Sequence, residues 1–398
     1  MRRRRPGAGG AVRGPRLTPA ERYLELGLRL GRHVDGLVDA YYGPSELKAQ
    51  VDAEEVVDAA QLAADAGALL AELPDGWLRD QVRGCEMCAR VLAGEAIAYA
   101  DEVEACYGVR PERTPVAVYE AAHAALDELL PGEGSLFERR QAWRTQHLVE
   151  GDLALVVLED LLPLLRAQTD EIVALPGGER VALEPVRDEP WWAFNYYEGD
   201  LASRVAFNVD VPTTGFDLIE LAAHEVYPGH HTEHCVKEQL LLREHGLLDE
   251  GIQLVPTPQA LLSEGIAEIG LNVVLDEQAR AEAYALLARH GIEFDVELTE
   301  RIAKVLDRLG ATGDDAALLV HEDGASLEEA KRFIEEWRLV TPEHAAQSVR
   351  FVTDPTWRAY AHTYTAGKAL CGDYVDGDPS RFRRLLTEHV RVGDLTAR

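Results

Sequence analysis

Nowhere in this chain do eighteen apolar residues follow one another, so no segment has the length to cross a bilayer as a helix. Positive charge is scarce as well: 40 Lys and Arg stand against 70 Asp and Glu, a formal net charge of −30. Such a surface repels phosphates, which argues against a nucleic-acid partner and favours solubility and cationic substrates. Cysteine is sparse and odd in number, at Cys85, Cys88, Cys106, Cys235 and Cys371. That usage suits a reducing cytoplasm rather than a disulfide framework. Cys85-Glu86-Met87-Cys88 has no second pair to complete a zinc knuckle, and its surroundings read as helix. The arginine run Arg2-Arg3-Arg4-Arg5 is never followed by the apolar core of a secretion signal. Residues 1–16 therefore read as a disordered basic tail, and the expected location is cytoplasmic. Internal repeats are lacking, and Gly310-Ala311-Thr312-Gly313-Asp314-Asp315 lacks the ligand spacing of a calcium loop.

What is present is enough for a large core: 398 residues, 46% of them apolar. Helical periodicity starts at Thr18, which caps, with Pro19 in the first helical position. It predicts helices near 54–72, 78–107, 115–129 and 135–169. One stretch breaks the pattern. Residues 171–175 and 180–183 flank Pro176-Gly177-Gly178-Glu179 and predict a hairpin. Residues 192–197 and 204–209 flank a Gly199-Asp200 turn and predict two more strands, whose edge could take an extended peptide. From residue 257 helices resume to 390. The expectation is a mainly α protein: an N-terminal helical lobe over 17–170, a small antiparallel sheet over 171–212, and a helical catalytic lobe over 213–398.

The densest chemistry lies in His224-Glu225-Val226-Tyr227-Pro228-Gly229-His230-His231, after a helix that opens at the turn Pro212-Thr213-Thr214-Gly215. In zincin metallopeptidases two histidines four residues apart bind zinc, and the Glu beside the first acts as general base. Here Pro228 holds the place of the second histidine. On a straight helix of about 100° and 1.5 Å per residue, His230 points away from His224, and His231 lies about 10 Å along the axis. Neither shares a metal with His224 unless the helix breaks. Proline removes the N–H that the carbonyl of His224 needs, and glycine takes backbone angles other residues avoid. A two-residue bulge at Pro228-Gly229 would swing His230 back toward His224, with His231 as the other candidate. The ordinary alternative is a helix C-terminus with proline and glycine stops. A third ligand is expected from Leu261-Leu262-Ser263-Glu264-Gly265-Ile266-Ala267-Glu268, where buried carboxylates are costly without a cation. Glu264 is the candidate ligand and Glu268 its outer partner. Cys235, just after the cluster, is a soft alternative ligand.

These motifs, together with Tyr364-Thr365-Ala366-Gly367-Lys368 near the C-terminus, resemble the bacterial family called domain of unknown function 885. That family is zincin-like and helical, distantly similar to carboxypeptidase Taq, oligopeptidase and angiotensin-converting peptidases. The resemblance covers roughly residues 145 to 390. It implies one zinc ion held by His224, His230 and Glu264, with Glu225 as base and Tyr364 as hydroxyl donor to the tetrahedral oxyanion. The chain departs from the family at Ile266, where an aromatic residue is usual, and in a shorter N-terminal part. Tyr360 shares a helix face with Tyr364, and Arg350 and Arg358 are candidates for gripping a substrate carboxylate. The expected activity is zinc-dependent hydrolysis of small peptides. A zinc hydrolase of a non-peptide amide or ester, and an inactive metal-binding scaffold, are the other classes open to the same residues.

Overall fold

The fold is that of a computed structural model that describes residues 17–189 and 191–396; the basic tail at 1–16 lies outside the described residues. The protein is mainly helical with small sheets. Thr18 and Glu21 form a capping box and Pro19 opens the first helix, Pro19–Gly31. The expected helix at 54–72 starts later, because Asp58 caps Ala59–Glu72 by accepting from the Ala60 N–H. The stretch 78–107 divides into Trp77–Leu92 and Tyr99–Tyr107 around Gly94, whose φ of 81° ends the first of them. The stretch 135–169 divides into Leu136–Gln146 and Gly151–Ile172, between which Leu148–Val149 pairs with Thr213–Thr214.

The hairpin predicted across Pro176-Gly177 does not form. Leu158, Leu161, Leu165 and Thr169 recur at helical spacing on the buried face of Gly151–Ile172, and that stripe carries the helix through Ile172. Arg180–Val186 instead lies parallel to Ala202–Asn208, and Ala193–Gly199 pairs antiparallel with the other side of that strand. The three-stranded sheet is therefore mixed. Its central strand is Ala202–Asn208, and Ala193–Gly199 is an edge. A separate antiparallel ladder joins Val38–Tyr41 to Ile252–Leu254.

The two largest hydrophobic cores lie behind these elements. Tyr23, Leu24, Leu30, Leu62 and Val82 form one, which Ile252 and Leu254 enter from the far part of the chain. The larger gathers Val103, Leu161, Phe207, Leu218, Ile266 and Phe382. Among the described residues no helix is long and apolar enough to cross a membrane.

Candidate metal centre

Thr214 opens the helix Gly215–Glu225 with a capping box to Asp217. The helix runs its apolar face against the larger core and delivers His224 and Glu225 in its last turn. There it breaks. Val226 leaves helical angles at φ −122° and ψ −82°, and a new helix, His230–Lys237, begins after Gly229. The interruption is bridged by long bonds: the Gly229 N–H donates to the Ala223 carbonyl at 2.9 Å and the Thr232 N–H to the Val226 carbonyl at 3.2 Å, each six residues back. A regular helix reaches back four, so the two extra residues are absorbed here. Gly229 is required sterically, since a Cβ at that position would sit 1.8 Å from the His224 carbonyl oxygen.

The break turns His230 back toward His224. Their Nε2 atoms lie 3.2 Å apart, with rings edge-on at 4.8 Å. Glu264 comes from the helix Pro258–Val274, its Oε2 3.5 Å from His224 Nε2 and its Oε1 3.6 Å from His230 Nε2. One ligand atom from each residue lies within 4.8 Å of the others, the spacing common ligation requires. His231 does not join them. It is fully buried, bonded to Ser203 Oγ at 2.8 Å and to Glu179 Oε2 at 2.9 Å. Tyr227 and Arg166 also donate to Glu179, and together with His231 they hold its carboxyl down to about 2 against the effect of burial. Cys235 packs 3.7 Å from the His231 ring nitrogens and is no part of the triad.

The outer bonds set the inner ones. Lys237 donates to Glu233 at 2.6 Å, and Ser263 Oγ–H donates to the same carboxylate at 2.6 Å. With its proton committed, Ser263 Oγ accepts from His230 Nδ1–H at 3.1 Å. That places the imidazole proton on Nδ1 and leaves the Nε2 lone pair facing the triad. His224 Nδ1 faces Glu268 Oε1 at 3.6 Å, and Lys368 lies 3.3 Å from Glu268. Burial draws His224 down to about 4, helped by Lys368, and His230 down to about 3, helped by His224. Both rings are therefore neutral near pH 7, as metal ligands must be. Glu264 is raised well above the carboxylate range, chiefly by burial, and its Oε2 has no hydrogen-bond partner. Two inward lone pairs and an orphaned buried carboxylate oxygen fit a divalent cation such as zinc.

Glu225 is 8% exposed. Burial, with Asp39 adding to it, pushes its carboxyl up to about 8, while a backbone hydrogen bond from Asn195 opposes the shift. Asn195 Nδ2 also donates to the Glu225 carbonyl at 2.6 Å, tying the helix end to the edge strand. Tyr360 donates to Glu264 Oε1, and Tyr364 meets Tyr360 edge-on at 5.7 Å. Residues 357–361 form turns rather than the helix expected, which begins at His362. Glu264 and Glu225 both raise the Tyr364 phenol, after burial, so its side chain lies in the field of the site. Arg358 is engaged with Glu102 and is not available to a substrate carboxylate, and Arg350 is exposed. Ser263, Glu233, Lys237, Asn195 and Asp39 also surround the site, and no motif in the sequence singles them out for it. Ser263 adjoins Glu264 and Glu233 stands one turn from His230, whereas nothing local marks Asn195 or Asp39.

No family model matches the chain, and no curated protein matches it. A solved structure described as "the putative lipoprotein from Colwellia psychrerythraea" is similar at a TM-score of 0.52 and 14% identity. The match covers 92% of this chain and 67% of that one, and at this identity the likeness is one of fold.

Proposed function

We propose that this protein is a zinc-dependent peptidase of zincin-like, two-lobed build, acting on small peptides. The convergence of the His224 and His230 Nε2 atoms on the unpartnered Glu264 oxygen, one residue from Glu225, supports this reading best. A zinc ion held by these three residues supplies Lewis-acid polarisation and a water of lowered pKa. Glu225 then accepts the proton of the attacking water on its carboxylate and returns it to the leaving amine. Burial keeps that carboxylate basic enough to serve. Tyr364, with its hydroxyl proton, donates to the oxygen that gains charge as the carbonyl becomes tetrahedral. Ser263 and Glu268 hold the imidazoles in register. The edge strand Ala193–Gly199, tied to Glu225 through Asn195, offers an extended peptide a row of backbone groups. Metal analysis of the purified protein, coupled to cleavage of a mixed peptide library with and without chelator, tests the proposal. Stoichiometric zinc and chelator-sensitive cleavage are expected. A protein that binds zinc but cleaves no peptide would be a scaffold or a hydrolase of a non-peptide amide or ester.

A further inference from the structure

The strand Val38–Tyr41 runs past the site with an anchor at either end. Gly36, just before it, lies against Trp357, where a Cβ would be 3.3 Å from the indole. Trp357 meets Tyr360 edge-on at 5.4 Å, and Tyr360 donates to Glu264. Beyond the other end, Tyr42 meets Tyr197 edge-on at 5.2 Å, and Ala40 packs in the same cluster. Two residues before Tyr197 along the edge strand, Asn195 holds the Glu225 carbonyl. Asp39 therefore stands between the contacts that lead to Glu264 and those that lead to Glu225.

Asp39 is also the extra residue of a β-bulge. Val38 pairs with Leu254 and Ala40 with Gln253, which leaves Asp39 without a ladder partner. Bulges re-aim side chains and gather beside active sites. The Asp39 carboxylate acts on Glu225, Glu264 and Tyr360, raising all three. Burial and Glu233 push Asp39 itself up to about 6. The neighbouring acids each have a positive or donor partner: Lys237 and Ser263 serve Glu233, and Tyr360 and the proposed ion serve Glu264. Asp39 has no hydrogen-bond or ion-pair partner for its side chain among the described residues. Asp39 is half-buried, so an arriving cation can reach its carboxylate.

We propose that Asp39 receives the ammonium group of the substrate, so that the protein selects peptides whose free amino terminus adjoins the cleaved bond. The inference rests on the peptidase reading above. Because Asp39 acts on Glu225, which works at the scissile bond, the cation it holds belongs to the residue next to that bond. There an α-ammonium is nearer than the end of a lysine side chain.

The test uses the full-length, zinc-loaded protein and three matched short peptides: one with a free amino terminus, its N-acetylated form, and an N-acetylated form with lysine first. The free peptide is expected to be cleaved with kcat/KM about ten- to a hundredfold higher than the acetylated one, as a charge-assisted contact provides. Asp39→Asn is expected to collapse that ratio through KM, and Asp39→Glu to restore part of it. Equal cleavage of the free and acetylated peptides by the wild-type protein overturns the role of Asp39 and leaves the peptidase reading standing. Preference for the acetylated lysine peptide overturns the terminal-ammonium form of it. If none of the three is cleaved, the peptidase reading fails and the inference with it. Loss of zinc from Asp39→Asn would move the residue into the metal shell and overturn it too. Should the variants not fold, the wild-type ratio decides alone.

Discussion

At the scale of single residues, Glu225 is the position that, on the proposed reading, separates chemistry from metal binding. Glu225→Gln is expected to keep its zinc while turnover falls by roughly two to four orders of magnitude, since an amide cannot accept the proton. Full activity in that variant would remove Glu225 as base. The two tyrosines separate in the same way. Tyr364→Phe should lower kcat by about ten- to a thousandfold with little change in KM. Tyr360→Phe removes the bond to Glu264 and should instead weaken zinc binding by about ten- to a hundredfold, read by competition with a chelating dye. The metal-free protein also carries a signature in pH. Glu225, Glu220 and Asp39 have carboxyls raised to about 8, about 7 and about 6, mainly by burial. A raised acid favours its protonated form in the folded state, so its contribution falls as pH climbs from the unfolded value to the folded one. His224 and His230 are lowered to about 4 and about 3, and their contribution is complete above the unfolded value of about 6.5. Between about pH 6.5 and 8 only the acids still titrate. The melting temperature of the chelated protein should therefore decline across that window, and zinc should blunt the decline. A flat profile in the chelated protein counts against these buried carboxyls.

At the scale of elements, the helix break at Val226–Gly229 and one helix crossing shape the site. Gly229→Ala puts a methyl into the His224 and Ala223 carbonyl oxygens, which cannot yield without unmaking the break. A loss of at least about 2 kcal/mol, with loss of zinc, is expected in denaturant unfolding and metal analysis. The crossing lies where Gly265 meets Gly367: a Cβ on Gly265 would sit 2.5 Å from the Gly367 carbonyl oxygen, and one on Gly367 2.4 Å from that of Leu261. The glycine of Ser-Glu-Gly and the glycine of Tyr-Thr-Ala-Gly therefore let the helices that carry Glu264 and Tyr364 touch backbone to backbone. Spacing alone made the break legible, because Pro228 and Gly229 stood where a straight helix would have parted the histidines. The strands at 193–199 and 202–208 were legible from their turn. The parallel partner at 180–186 was not, because a proline-glycine turn between apolar runs reads locally as a hairpin while the deciding helical stripe lies upstream. Asp39 lay beyond reach for a similar reason: its place depends on pairing with residues more than two hundred positions away.

At the scale of the whole molecule, the ion would add a tie between helices that already share the larger core. Zinc at a hundred times its Kd stabilises the folded state by about 2.7 kcal/mol, a rise in Tm of roughly 3 °C for a chain of this length. Calorimetry should find that rise in the wild-type protein and in Glu225→Gln, and not in His224→Ala. Coincident melting of loaded and chelated wild-type protein would dismiss the metal centre. Distant ties complete the surround: Tyr99 donates to the Arg358 carbonyl at 2.8 Å, and Arg358 pairs with Glu102, which fixes the turn that carries Tyr360. The spread of these parts along the chain bears on biosynthesis. His224, His230 and Glu264 leave the ribosome within some forty residues of one another, while Tyr360 and Tyr364 follow about a hundred residues later. On the proposed reading, a nascent chain holds all three ligands before it holds the hydroxyl donor or the helix His362–Val375 that packs against the one carrying Glu264. A hydrolase so built would reach full turnover only after the segment that carries Tyr364 has joined the fold.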